Sequence, residues 1–597
     1  MIARPEILIS DRKTFLAKDI IHIGSIDNKA LLLDSSCGKI FSLDYTQLEV
    51  VQALKTPADL NTLTARLVSI GWDTSGLDDL PSIVEDLLEN ECLVILDRFF
   101  REKPFDAQEE EGKSLKYITW PTKNRPNELR QALPAWRDVY IRGGNGPAFI
   151  IADDSDSDRK LVEDVVREFA SIAMPANVFY FNKNARKKFA DLFASGFKEI
   201  LYFVLDINLS ARINLLSYGA NQNFIALLSA GEQVLLTDDD IFPEFKTLSA
   251  NKEEIRYSSS GDSSRKIIVP DWSDFSNFGR SAEINEYLGE FKYLGKSGLY
   301  LTQGNGTLDL SSCDYKNLEK HSSGSSYAAA LCHFYWGDSG MGSASYLLND
   351  RMGIEAGITD SAEYEKLMRE RLVFRGLDMT TVGGKVFMGG HIILNPRTYL
   401  PPFSPLSRNL DALWGATLEY FHPDTFIVYS KVSVMHKPLV PRFSNRERAT
   451  RWALGLNETI QLLLGFLYSS MNPSDNAYGQ LGTALENFVS GCKGKVREVL
   501  LDIIAKAIAG RRELIAENIR YFGSEPEWWA EDAFAAMEWL DNYLFLPESW
   551  LPWEFRGREN EFLEYCANFG RMLQAWPEIY ENAKIISPDF LEKYRLK

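Results

Sequence analysis

The chain has little of what marks a secreted, zinc-clustered or nucleic-acid-binding protein. Its six cysteines (Cys37, Cys92, Cys313, Cys332, Cys492, Cys566) show no CxxC spacing, which argues against a cysteine-based zinc site and a disulfide framework and points to a reducing cytoplasm. No run of about 18 apolar residues occurs, and the opening MIARPEILIS has no long apolar stretch, so neither a membrane span nor a secretory signal is expected. Positive charge is also in deficit. A formal net charge of −18 argues against a phosphate-neutralising nucleic-acid surface, which needs clustered Lys and Arg, and leaves small ligands, peptides or basic partners. The 45% hydrophobic and 25% charged content over 597 residues is that of a globular protein too long for one core, with two to four domains expected.

What is present centres on Tyr218 to Phe245: a helical segment, the apolar run Val234-Leu235-Leu236, and then Asp238, Asp239 and Asp240. The run reads as a buried parallel strand, and ligands of open α/β sheets sit at the carboxyl ends of strands. The three carboxylates are either a solvated acidic turn or the mouth of a site. There a divalent cation, bridging them to an anion such as a diphosphate, relieves their repulsion.

Residues 1–100 form a module of their own. Ala30–Asp34 and Lys39–Leu43 flank a Ser-Ser-Cys-Gly turn as a hairpin. Asp44 caps a helix beginning near Thr46, with Leu48, Val51 and Leu54 on one face, and helices around 60–70 and 80–90 and a closing strand Cys92–Ile95 follow. This winged-helix order, with the phrase LLLDSSCGKIFSLDYTQLEVVQAL, resembles the PqqD-like domains that recognise leader peptides of ribosomally made, modified peptides. The resemblance implies capture of a precursor peptide as an added strand; the alternatives are packing against its own chain or, less compatibly with the acidity, DNA. Residues 101–114, REKPFDAQEEEGKS, read as a linker.

From 115 to about 440, β and α patterns alternate: strands at Lys116–Trp120, Ala148–Ile151, Val178–Phe181 and Glu199–Leu205, with helices between them. Such alternation specifies an α/β, mostly parallel, Rossmann-like sheet. The first strand runs into Thr122-Lys123-Asn124-Arg125, the second ends in Asp153-Asp154-Ser155, and the helix before the aspartate triplet carries Gln222-Asn223. Four such motifs in this order resemble the GT-A nucleotide-diphospho-sugar transferases, and among them family 2. The resemblance implies nucleotide and phosphate contacts from Thr122, Asn124, Arg125, Asp153, Asp154, Asn223 and Asp239. It also implies Mg²⁺ or Mn²⁺ on Asp238 and Asp240, with a uridine diphosphate sugar as donor. Gln222 replaces the usual Arg. Asp156 or Ser157 is read instead as a cap of the following helix.

Residues 250–325, rich in Ser, Gly and Asn, read as an insertion with loops, and Tyr335 to Leu348 as the opening of a helix that Asp338 caps unless it touches a sugar hydroxyl. On the acceptor side a stiff Pro-rich loop leads into a helix at Arg408-Asn409-Leu410-Asp411. By the resemblance Asp411 is the general base, with Leu410 in place of the family's Glu; the alternative is a dipole partner at the helix start. His436, closing the strand-like run from Val432, is either a further metal ligand or structural.

From 441 the pattern is helical and holds seven of the thirteen tryptophans, read mostly as core or interface. Together these features predict a cytoplasmic, metal-dependent, inverting glycosyltransferase that modifies a Ser, Thr or Cys side chain of a peptide held by the first domain. The alternatives are a glycan or lipid-linked acceptor, and a degenerate transferase serving as a peptide-binding scaffold.

Overall fold

The computed structural model describes residues 14–96, short of 27–28 and 35–38, and residues 114–596, short of 142–145, 175, 208–214, 249–254, 260–263, 304–307, 322–324, 342–343, 350–360, 384–386, 398, 445, 472–475, 493 and 524–525. The expected hairpin turn at 35–38 and nearly all of the expected linker therefore lie outside the described residues.

The expected hairpin strands, three helices and closing strand of the first module are present, with two further strands, at 15–17 and 20–26, and a short helix at 74–78 that the pattern did not give. Strands β1 (Phe15–Ala17), β2 (Ile20–Ile26), β3 (Lys29–Asp34) and β4 (Ile40–Leu43) precede the helices Tyr45–Ala53, Leu60–Ser69, Thr74–Asp78 and Leu80–Glu89, and β5 (Leu93–Ile95) returns to pair antiparallel with β1. Asp44 accepts from Gln47 N at 2.7 Å while the Gln47 side chain accepts from Asp44 N at 3.1 Å, a reciprocal box that starts the first helix. Its buried Leu48, Val51 and Leu54 join Leu32, Phe41 and Leu63 in a core separate from the rest of the chain. The opposite face of the β2-β3-β4 sheet stays apolar and exposed: Ile21 pairs with Leu33 and Leu33 with Ile40 across the three strands, and Ile21 and Ile40 lie open.

The main body holds a ten-stranded sheet. Its strands are β6 (Tyr117–Thr122), β7 (Ala148–Asp153), β8 (Val178–Asn182), β9 (Val234–Thr237), β11 (Ile255–Ser258), β14 (Leu308–Ser312), β15 (Tyr327–Cys332), β18 (Thr380–Gly383), β19 (His391–Leu394) and β20 (Thr425–Tyr429). They lie in the order β14-β11-β18-β20-β15-β19-β9-β6-β7-β8. The pairs among β8, β7, β6 and β9 are parallel, and β19 is inserted antiparallel between β9 and β15. The chain steps outward from β6 to β7 to β8 and then returns to place β9 on the other flank of β6, so the strand order reverses between β6 and β9. That crevice is where open α/β sheets bind ligands.

A six-stranded sheet lies beside it, in the order β12 (Arg265–Ile268), β17 (Leu372–Gly376), β16 (Tyr335–Asp338), β21 (Val432–His436), β10 (Ile241–Thr247) and β13 (Arg280–Ser281). β10 begins directly after the aspartate triplet and pairs with β21, Ile241 opposite His436. Two chain segments distant in sequence thus meet at the triplet.

Three expectations are corrected. Glu199–Leu205 is not a strand but part of the helix Ser195–Val204, which buries Leu201, Phe203 and Val204; a short apolar run does not distinguish a buried strand from a buried helical turn. Tyr335 does not open a helix. It begins β16, Asp338 accepts from Gly340 N at 2.7 Å and from Arg371 Nη2 at 2.9 Å, and the described helical residues of this stretch are Tyr346–Asn349. The segment after 250 supplies β11 and β14 to the large sheet and β12 and β13 to the small one, so it is integral rather than a looped insertion.

The helical C-terminal part shares its core with the sheet. Phe569, Trp576 and Phe590 of the long helix Glu559–Lys593 are buried together with Phe181, Phe224 and Leu236. Trp529 and Trp576 are fully buried there, as expected of core tryptophans, whereas Trp553 is exposed. After the helix, Tyr594 O accepts from Tyr180 N at 3.4 Å and Leu596 N donates to Val178 O at 2.9 Å, covering the β8 edge.

Candidate functional site

At the carboxyl ends of β6 and β9 four of the expected residues come into contact. Thr122 Oγ1 donates to Asp239 Oδ2 at 2.6 Å, and Arg125 Nη1 donates to Asp239 Oδ1 at 2.6 Å and to Asp240 Oδ2 at 3.0 Å. Asp240 also faces His436 Nε2 at 3.2 Å and is held by the Arg442 guanidinium. Burial alone would raise the Asp240 carboxyl, but His436, Arg125 and Arg442 outweigh it and hold the group well below the ordinary range. Asp239 is pushed up to about 6, burial prevailing over the pull of Arg125.

Asp238 differs from both. Its carboxylate accepts no hydrogen bond from the described residues and retains some exposed surface, while enclosure and the charges of Asp240 and Asp239 push it up to about 8. The three aspartates are therefore not equivalent: two are committed within the protein and one is available.

His436 is fixed from both sides. Its Nδ1 lies 2.7 Å from the Asp338 carbonyl, an acceptor only, so Nδ1 carries a proton and donates. Nε2 then faces an Asp240 oxygen, two acceptors unless a proton or a cation lies between them. Burial pulls the imidazole down, but Asp240 outweighs burial and raises it, favouring the proton. Gly337, with φ of +113°, lets β16 approach this corner, where a Cβ would run into the His436 carbonyl oxygen.

The donor atoms test whether a divalent cation fits. Among the described residues no group of three or more His, Cys, Asp or Glu is placed to hold a metal ion. The available carboxylate is Asp238; Asp240 is engaged by Arg125 and Arg442 at Oδ2 and by His436 at Oδ1. With one available carboxylate, a cation here would have to take most of its oxygens from a ligand, as magnesium does with phosphates.

The end of β7 is more inward-looking than expected. Asp153 accepts from Ser155 N at 2.8 Å and from Tyr180 Oη at 2.7 Å; burial raises its carboxyl despite these bonds. Asp154 is held by the buried Arg186, by Lys123 Nζ at 3.3 Å and by Ser217 Oγ. Asn124, with φ of +55°, accepts from Asp156 N at 3.2 Å and Asp158 N at 3.4 Å, and its own N–H donates to Ser155 Oγ at 2.7 Å. Asn124, rather than Asp156 or Ser157, organises the start of the following helix. Asn223 is fully buried and clamps the Pro-rich loop: its Nδ2 donates to Phe403 O at 2.9 Å and its Oδ1 accepts from Phe403 N at 2.7 Å. It lies apart from the triplet's contacts.

The acceptor-side carboxylate meets the triplet at one turn. A Cβ placed on Gly389 would lie 3.4 Å from Asp411 Cβ and 3.8 Å from Gln222 Nε2, and one on Gly390 would lie 3.2 Å from Asp238 Oδ2 and 2.5 Å from Tyr335 Oη. Asp238 N donates to Gly390 O at 2.8 Å. Burial raises Asp411, with the backbone N–H groups of Ala412 and Gly389 pulling partly back. Asp411 is also in the first turn of the helix Leu410–Phe421, so a favourable dipole position and access to the turn coexist.

Sequence reasoning missed Arg442 and a buried chain behind the triplet. Tyr140 Oη meets Tyr287 Oη at 2.7 Å, Tyr287 Oη meets His391 Nε2 at 2.9 Å, and His391 Nδ1 meets Thr237 Oγ1 at 2.9 Å. This chain ties β9 to β19 beneath Asp238. Neither feature has a sequence signal, because the partners come from separate, aperiodic segments. No family model matches this sequence, and no curated protein matches it either.

Proposed function

We propose that the chain is a metal-dependent, inverting glycosyltransferase of GT-A type, which moves a sugar from a nucleoside diphosphate to a Ser, Thr or Cys side chain of a ribosomally made peptide held by the first module. The observation that carries this reading is the meeting of Asp238 and Asp411, from β9 and a distant helix, at the Gly389–Gly390 turn. The two carboxyl-bearing residues flank successive glycines of one turn, next to the reversal of strand order, which supports reading Asp238 as a cation ligand and Asp411 as the base. Mg²⁺ or Mn²⁺ on Asp238 and Asp240 would neutralise the diphosphate and its departure. Asp411, raised by burial, takes the proton of the acceptor hydroxyl or thiol as the new bond to the anomeric carbon forms and the bond to the diphosphate breaks, a single displacement that inverts configuration. Peptide capture is supported by the exposed Ile21, Ile23 and Ile26 on β2, an edge strand among the described residues.

The test is thermal unfolding with Mn²⁺ and uridine, guanosine or thymidine diphosphate. A ligand at about 100 times its Kd adds roughly 2.7 kcal/mol, so a metal-dependent rise selective for one base is expected, lost in Asp238→Asn and kept in Asp411→Asn, which should lose transfer alone. No rise with any nucleotide would sink the reading. In that event the peptide-binding scaffold takes its place, a reading favoured by Asn124 and Asp154 being committed to contacts within the protein.

A further inference from the structure

Two arginines to which sequence analysis assigned no role, Arg442 and Arg371, stand at Asp240 and at the neighbouring Asp338. Arg442 reaches Asp240 from the loop after β21, with its side chain about a third exposed. Arg371 stands before β17, nine-tenths buried; its Nη2 donates to Asp338 Oδ1 at 2.9 Å, while its buried Nε–H has no acceptor among the described residues. Arg442 and the exposed Arg408 both act on Arg371 as like charges, and Arg442 acts likewise on His436. Arg125 closes the group from the β6 side. Three guanidiniums, of Arg125, Arg371 and Arg442, and an imidazole thus meet at Asp239, Asp240 and Asp338, with Arg408 acting on Arg371 as a further like charge. Arg125, Arg442 and His436 share the single carboxylate of Asp240 and the Arg371 Nε–H has no acceptor among the described residues, so donors exceed acceptors here, and guanidiniums suit phosphate because their planar forks bind its oxygens two at a time.

We propose that Arg442 and Arg371 form a binding site for a diphosphate, in which Arg442 passes from Asp240 to the phosphate oxygens when ligand arrives. The exchange relieves the repulsion between Arg442 and Arg371 and leaves Asp240 Oδ2 with Arg125 as its one remaining arginine partner among the described residues. Arg442 thereby couples anion binding to the availability of a second carboxylate beside Asp238. The site rests on the proposed reading for its ligand, a nucleoside diphosphate, yet its anion chemistry can be tested independently.

The probe is inorganic pyrophosphate, titrated onto the full chain in EDTA and followed by calorimetry and by thermal unfolding at two NaCl concentrations. Wild type should bind, more weakly in high salt. Arg442→Gln should weaken binding about tenfold or more, Arg442→Lys less, and Arg371→Gln should weaken it in the same direction. Arg512→Ala, which removes an exposed arginine paired with Asp541 on a C-terminal helix, should leave binding unchanged. Cooperative unfolding of each ligand-free variant establishes that it is folded, and if Arg442→Gln is not, Arg442→Lys decides alone. Binding unchanged within twofold in the folded Arg442 variants, or no pyrophosphate binding by wild type, would overturn the site. If pyrophosphate binds through Arg442 but no nucleotide binds more tightly, the anion site stands and the transferase reading falls. If a nucleotide binds with Mn²⁺ equally well to wild type and Arg442→Gln, the transferase reading stands and this inference falls.

Discussion

Asp238 and Asp240, two residues apart, are expected to respond in opposite ways to loss of charge. Asp240→Asn removes the counter-charge of Arg125, Arg442 and His436, and breaking a buried ion pair from one side costs about 3–5 kcal/mol. Asp238→Asn replaces a carboxyl already pushed up to about 8 and should change stability at pH 7 by less than about 1 kcal/mol; urea denaturation of the two variants tests the contrast. The same groups set a pH dependence. An unfolded aspartate titrates near about 3.9, so between about pH 4 and 8 the folded chain holds protons on Asp238 and Asp239 that the unfolded chain has released. Unfolding then loses protons, and stability falls as pH rises through that window. Asp240, lowered in the fold, contributes the opposite slope: its stabilisation is present above the unfolded value and fades as pH drops through its lowered one. Denaturation midpoints measured from pH 4 to 8 should decline, with a shallower slope in Asp238→Asn; an equal slope in both would refute the assignment.

At the scale of elements, the helix Tyr218–Leu228 is tied to the loop 400–407 by Asn223. Asn223→Ala leaves the N–H and C=O of Phe403 without these partners, each worth about 1–3 kcal/mol when buried. The variant should be clearly destabilised in urea yet, if folded, bind nucleotide as wild type does. Weakened nucleotide affinity at full stability would restore the ligand role expected of Asn223. How far such elements were legible depends on their surroundings. The helix Tyr45–Ala53 could be read because its cap and apolar face are both local. Ser195–Val204 could not, since its ILYFV run fits a buried strand equally well and only packing against the long helix Glu559–Lys593 selects the helix.

For the whole molecule, the consequential finding is that residues beyond 441 complete the core of the sheet instead of forming a core of their own. A chain ending at 440 should therefore expose the Phe181–Phe224 face and fail to unfold cooperatively, as judged by circular dichroism and dye binding. A fragment 114–440 with a sharp transition at the wild-type temperature would contradict the shared core. No described helix is long and apolar enough to cross a membrane.

The strands β3, β4 and β6–β9, the first helix of the first module, and the placement of Thr122 and Asp238–Asp240 at or directly after strand ends were legible in local periodicity, capping and turn chemistry, all carried within short windows of sequence. The division of labour among the three aspartates was decided only by the tertiary structure, as were the joining of Asp411 to Asp238 at Gly389–Gly390 and the arrival of Arg442. Each depends on segments distant along the chain brought within a few ångströms, where burial and opposing charge outweigh any local preference.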